Sequence, residues 1–148
     1  MLLTPHTLAG IVIATKVSNP YLALPLAFLS HFALDIVPHW DFLTGVEKVT
    51  PVILKRIAGE FLVALAVGLF FAFRALPDKN LFLRICAGAF LANLPDGLEM
   101  PKSIFGKSNP ISNAINGFQH FFHFRAKFPW GLFPQVAIVV FFLLLLLG

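Results

Sequence analysis

Charge is what this chain has least of, and the shortage narrows its class before any motif is considered. Only 12% of the 148 residues are charged, against 58% hydrophobic, with a mean hydropathy of +0.85. A soluble domain of that length carries about a quarter of its residues as charges, and apolar stretches this long read as bilayer spans. Cysteine is nearly absent too. Cys86 stands alone in an apolar stretch, which excludes a disulfide framework and a CxxC redox pair. There is no Gly-rich phosphate loop, no HExxH and no GxSxG elbow, so P-loop, zincin and serine-hydrolase chemistry lack their motifs. Ser30 beside His31 makes no triad, because adjacent helical residues diverge. The start of the chain lacks the basic region of a cleaved signal peptide and is expected to be retained.

Acidic residues are scarcer than basic ones, 7 against 11, for a net charge of +4. The basic residues are scattered over loops, which suits lipid headgroups and topology and makes the bilayer, not nucleic acid, the expected partner. Phenylalanine is abundant at 18 residues, in keeping with lipid-facing packing.

Punctuation divides the chain into an all-α pattern. Thr4-Pro5 opens a helix running to about Val17, which Ser18-Asn19-Pro20 stops. A second covers roughly Tyr21 to Ile36 and ends before Pro38. Both are short for a ~30 Å hydrocarbon core, so a re-entrant hairpin competes with full crossing. Pro51 opens a third helix, nearly all apolar from Phe61 to Phe73, and a fourth is expected from about Asn80 to Asn93. The stretch from Leu94 to Trp130 is the most polar and is expected to hold one interfacial helix. Gly131 to Leu147 is the clearest span. The expectation is one integral membrane domain over residues 1–148, a polytopic bundle of about five helices with one interfacial polar segment.

Five spans would put the N-terminus and the second-to-third and fourth-to-fifth connections on one side. That side holds Lys48, Lys55, Arg56, Lys102, Lys107, Arg125 and Lys127; the other holds Lys16, Arg74, Lys79 and Arg84. Seven against four makes the first side cytoplasmic, in a cytoplasmic (inner) membrane.

All five histidines, His6, His31, His39, His120 and His123, fall on that same side. Asp35, Asp41, Asp96 and Glu99 fall there as well. His31 and Asp35 are four apart and share a helix face, the spacing for two ligands of one ion or for a carboxylate orienting an imidazole. Pro38-His39-Trp40-Asp41 adds a second such pair in a turn, and His120 and His123 lie three apart, on one face if helical. An ionisable pair in an apolar helix is costly enough to suggest function. The bland alternative for each is an interhelical hydrogen bond, an interfacial Trp or a helix stop. Glu60 and Gln135, each early in an apolar helix, could be a base, a ligand's partner or interhelical glue. Imidazole and carboxylate together suit a divalent ion, zinc first and manganese or iron next. Bis-His haem ligation is less attractive among so many carboxylates.

At these residues the chain resembles the membrane-bound metal-dependent hydrolases, a family of small bacterial and archaeal integral membrane proteins. The resemblance rests on His6, Ser30-His31-Phe32-Ala33-Leu34-Asp35, Leu94-Pro95-Asp96, Pro101-Lys102-Ser103-Ile104-Phe105-Gly106, and His120 with His123. The run from Ser30 to Asp41 is also similar to small membrane proteins carrying Ser-His-Phe-x-x-Asp-x-x-Pro-His-Trp-Asp. Leu98 and Glu99 stand where the family pattern has Asp and His, and the two motifs come in reverse order. The resemblance implies a metal site at a membrane face and a hydrolytic reaction. Metal ligands are then expected among His6, His31, Asp35, His39, Asp96, His120 and His123, with Asp41, Glu99 or Glu60 as general base. Location at the headgroup layer makes a lipid-like ester or phosphoester the expected substrate. The competing expectation is a metal-binding structural or transport protein without catalysis.

Overall fold

A computed structural model describes residues 1–44, 49–106 and 109–148. Lys48 and Lys107, counted in the charge balance, lie outside the described residues. Among the described residues there are six α-helices and no strand: α1 Leu3–Lys16, α2 Pro20–Asp35, α3 Pro51–Arg74, α4 Lys79–Phe105, α5 Pro110–Phe122 and α6 Leu132–Leu147.

Starts follow local chemistry. Asn19 accepts from Tyr21 N at 2.9 Å ahead of Pro20, and Asp78 Oδ1 accepts from Leu81 N at 3.0 Å. Asn109 and Ser112 form a reciprocal capping box around Pro110. Helix α1 begins at Leu3 rather than Pro5 and, like α6, has no side-chain cap of its own. Its free amides are taken by other helices instead. Gln135 of α6 accepts from Leu2 N at 2.9 Å, and Glu60 of α3 accepts from Thr4 N and Thr4 Oγ1 at 3.0 and 2.8 Å.

The expected end of α4 near Asn93 is overturned. The helix continues through Pro95 and Pro101 to Phe105, where Gly106 closes it in the left-handed conformation. Pro95 gives up one backbone bond and loosens a turn without ending the helix. It is fully buried, so packing holds the helix together across the gap. The expected interfacial helix is α5, and its residues run Pro110–Phe122.

Helix α1 packs against α2, α3, α4 and α6, while α5 lies on α4 and α2. At one end Leu8, Ile11, Ala14, Phe71, Ala72 and Ile85 form the buried core, backed by Val139, Phe142 and Leu146 of α6. Truncating Ile11 or Ile85 to Ala would cost about 2–5 kcal/mol. The tightest crossing is between α1 and α4: a Cβ at Gly88 would stand 2.7 Å from Gly10 O, so both positions require glycine. Asn93 Nδ2 donates to Thr7 Oγ1 at 2.8 Å one turn further on. Arg84 donates to the carbonyls of Ala14 (2.6 Å) and Val17, closing the C-terminal end of α1.

Among the described residues two helices are long and apolar enough to cross a membrane, α3 and the Lys79–Lys102 part of α4. At 1.5 Å per residue, the 14 residues of α1 and 16 each of α2 and α6 reach about 21–24 Å, short of a ~30 Å core. Large apolar side chains stand exposed along α3 (Phe61, Leu65, Phe70) and α6 (Val140, Phe141, Leu144).

Candidate metal centre

The opposite end of the bundle gathers the polar residues. His6 comes from the second turn of α1, His31 and Asp35 from the last turns of α2, and Asp96 from the turn after Pro95. His39, Asp41 and His123 come from connecting segments that are laced by backbone bonds. His39 N donates to Phe124 O at 3.0 Å, Ala126 N to His39 O at 2.7 Å, Phe124 N to Asp35 O at 3.1 Å, and Trp40 N to Gly131 O at 3.1 Å. A Cβ at Gly131 would stand 2.5 Å from Trp40 N, so only glycine admits this approach. Gln135 braces the lacing by donating to Trp40 O at 2.7 Å.

Asp35 is the hub. It is 1% exposed, with His6, His31 and His39 at 0% around it. Its Oδ1 accepts from the Met1 amine at 2.7 Å and stands 3.4 Å from His6 Nε2 and 3.6 Å from His39 Nε2. Its Oδ2 stands 3.5 Å from His31 Nε2 and 3.6 Å from His123 Nδ1. Two sets of ligand atoms lie close enough to hold an ion: His6, His31 and Asp35, and Asp35, His39 and His123. Asp35 belongs to both.

Three observations test whether the residues fit a metal. First, both ring nitrogens of His6 and Oδ2 of Asp35 are buried with no hydrogen-bond partner, an arrangement that costs about 1–3 kcal/mol per group unless something else sits there. Second, the separations of 3.4–3.6 Å around Asp35 are too long for good hydrogen bonds. They match two ligands on one tetrahedral ion, about 3.3 Å apart for bonds of 2.0–2.1 Å. Third, two imidazoles are oriented by carbonyls. His31 Nδ1 donates to Ala92 O at 2.9 Å, in the turn Pro95 loosens, and His39 Nδ1 donates to Val37 O at 2.8 Å. Each leaves Nε2 unprotonated, the tautomer metal-binding histidines use, and an ion would take the place of the donors, Gln119 and His123, that these nitrogens face. The residues fit a divalent ion.

The edges are polar. Asp96 Oδ1 lies 3.4 Å from His31 Nε2, and Gln119 Nε2 donates to His31 Nε2 at 3.0 Å and to Asp96 at 3.3 Å. His123 Nε2 faces His39 Nε2 at 2.8 Å and Asp41 Oδ2 at 3.3 Å; with His39 Nδ1–H committed to Val37, the His123 proton bridges the two rings. Arg125 Nε donates to Asp41 Oδ2 at 3.1 Å. Burial pushes His39 down to about 4, with the Met1 amine adding to the effect, so this ring is neutral near pH 7. Burial alone would raise Asp41, but the His123 hydrogen bond and the Arg125 guanidinium outweigh it and hold the carboxyl well below the usual range.

Of the expected ligands, His6, His31, Asp35, His39, Asp96 and His123 converge here. His120 does not. It is exposed on α5, because the helix buries Ser112 and Gln119, seven residues apart, and His120 sits about 100° further round. Helix α5 ends at Phe122, so His123 is extended and the three-residue face with His120 never forms. Of the expected bases, Asp41 touches the cluster. Glu60 is engaged in holding the first turn of α1, and Glu99 Oε1 accepts from Asn116 Nδ2 at 2.7 Å, tying α4 to α5. Gln119 was not singled out by sequence, although Ser112, Asn116, Gln119 and His123 repeat at 4, 3 and 4 residues as a polar stripe.

A cavity of about 110 Å³ opens onto the cluster and is lined by Asp41, Glu60, Asp96, Glu99, His123 and Arg125 among others. Among protein-family models, curated proteins and solved structures, none matches the chain.

Proposed function

We propose that this chain is a membrane-bound metal-dependent hydrolase whose His/Asp cluster would hold divalent ions, zinc first, at the two ligand groups that share Asp35. One observation carries the reading: a buried carboxylate with an unpartnered oxygen, flanked by four imidazole nitrogens at 3.4–3.6 Å. His6, His31 and Asp35 would hold one ion, with Asp96 beside His31, and Asp35, His39 and His123 would hold the other. A divalent ion supplies Lewis acidity, bringing the pKa of a water molecule toward neutrality. The chain's own residues do the rest. Val37 O and Ala92 O orient His39 and His31, and Gln119 keeps Asp96 against His31. Asp41, in contact with His123 and open to the cavity, is the carboxylate we assign to take a proton from water. The resemblance at Ser30 to Asp41 and Leu94 to Asp96 supports the same chemistry.

The membrane setting belongs to this proposal. Helices α3 and α4 cross, α1, α2 and α6 complete the bundle, and the cluster lies at the cytoplasmic face of an inner membrane. Lys55, Arg56, Lys102, Arg125 and Lys127 belong to that side and Lys16, Arg74, Lys79 and Arg84 to the other.

A second reading, a closed structural or transport site, is favoured by the complete burial of His6, His31 and Asp35, since closed sites suit structural ions. Elemental mass spectrometry of the purified protein, paired with phosphoester and ester turnover, separates the two. About two equivalents of zinc, with turnover lost but metal kept in Asp41→Asn, is the expected result. Metal without turnover would favour the structural reading. No metal after reconstitution would overturn both.

A further inference from the structure

A second cavity, of about 350 Å³, runs between α1, α3 and α4, with Thr7, Phe61, Leu65, Gly68, Cys86 and Phe90 in its walls. It is more than apolar surface awaiting a cover. Leu3, Asp96 and Met100 line both this cavity and the one over the cluster, so the two meet at a carboxylate of the metal centre. Its outer walls are the two helices long and apolar enough to cross a membrane, and Phe61, Leu65, Leu69 and Phe90 are each exposed on them. A groove of this kind, open sideways to hydrocarbon and closed at one end by a polar site, accepts a flexible chain with a polar head.

The head can be specified by charge. The cavity over the cluster carries Asp41, Glu60, Asp96 and Glu99 against the Met1 ammonium, which Asp35 holds, and the guanidinium of Arg125, which is 45% exposed and donates to Asp41 through Nε. Four carboxylates repel an anion. With divalent ions bound between Asp35, Asp96 and the imidazoles the balance reverses, and Arg125 presents its remaining donors in the fork that suits phosphate. We propose that the substrate class is an alkyl-chain phosphoester: its chain lies in the α1/α3/α4 groove and its phosphate sits between the metal centre and Arg125. The head-group half rests on the metal-dependent reading above and the groove half on the membrane setting proposed with it.

The test is photo-crosslinking with dodecyl phosphate carrying a diazirine in its chain, on the protein in nanodiscs, with metal content measured on the same samples. Labelling is expected on the segments Phe61–Leu69 and Cys86–Met100, at least tenfold above the lipid-facing residues Phe141 and Leu144 of α6. Excess unlabelled dodecyl phosphate should compete; inorganic phosphate at equal concentration should not. At Gly68 a Cβ would meet Thr7 Cγ2 at 3.7 Å and Ala89 Cβ at 3.8 Å, so Gly68→Leu fits at its root and fills the groove. It should cut groove labelling tenfold while metal content holds. Leu65→Trp serves if that variant fails to fold. Labelling spread equally over α3, α4 and α6 overturns the groove, whatever the metal content. Groove labelling that survives metal removal undiminished overturns the phosphate placement and leaves a chain site alone. Groove labelling with no metal in the native protein would uphold the groove while the hydrolase reading failed.

Discussion

The two halves of the cluster are built differently. His6, His31 and Asp96 project from helices whose backbones are fixed by their own hydrogen bonds and by packing against α1. His39, Asp41 and His123 project from connecting segments held by a handful of bonds between residues some 84 apart in sequence. Both halves reach the cavity, through Asp96 at 23% in the first and through His123 at 14% and Asp41 at 13% in the second, while His6, His31 and His39 are closed off. One half rests on helix backbones, the other on backbone bonds between connecting segments.

The sharpest way to break the contrast is to remove the residue that both halves share. Asp35→Asn should reduce bound metal to background, where loss of one half alone would leave about one equivalent, as read by elemental mass spectrometry. His6→Leu separates the halves next. It should lower metal by about one equivalent and raise the thermal stability of the metal-free protein, because it removes two unpartnered buried nitrogens worth about 1–3 kcal/mol each. A lower Tm in chelator would argue that an unrecognised partner satisfies His6. Gly131→Ala strikes the loop-held half: its Cβ overlaps Trp40 N, at an expected cost of about 1–3 kcal/mol, and should lose the ion at His39 and His123 while that at His6 and His31 persists. Equal loss from both halves would dissolve the distinction. Arg125→Gln should change stability by less than about 1 kcal/mol, since its bond to Asp41 is half exposed. His120→Ala should change neither metal nor Tm beyond about 0.5 kcal/mol.

Legibility followed the same divide. The His31–Asp35 pair could be read because helical spacing states which side chains share a face, and Pro51 marked a helix start correctly. Spacing misled where backbone periodicity stopped. His120 and His123 looked like a helical pair, yet the helix ends between them. Pro95 looked like a terminus because the rule concerns a lost hydrogen bond, whereas burial against neighbouring helices carried α4 onward. Glu60 and Gln135 stood open between a base, a ligand's partner and interhelical glue. They stabilise the first turn of α1, a role set by which helices become neighbours, and no local pattern encodes that.

The contact of Gly10 with Gly88 acts as the datum from which the helix-held half is measured. His6 is four residues from Gly10 and Asp96 eight from Gly88, so each ligand's height is a fixed number of 1.5 Å steps from one point of contact. A slip of one residue there would displace a ligand by about 1.5 Å, several times the roughly 0.2 Å that metal coordination tolerates. An apolar crossing one turn from Arg84 thereby sets the spacing of the candidate ligands, and a methyl group added at Gly88, 2.7 Å from Gly10 O, would move the helices that carry them.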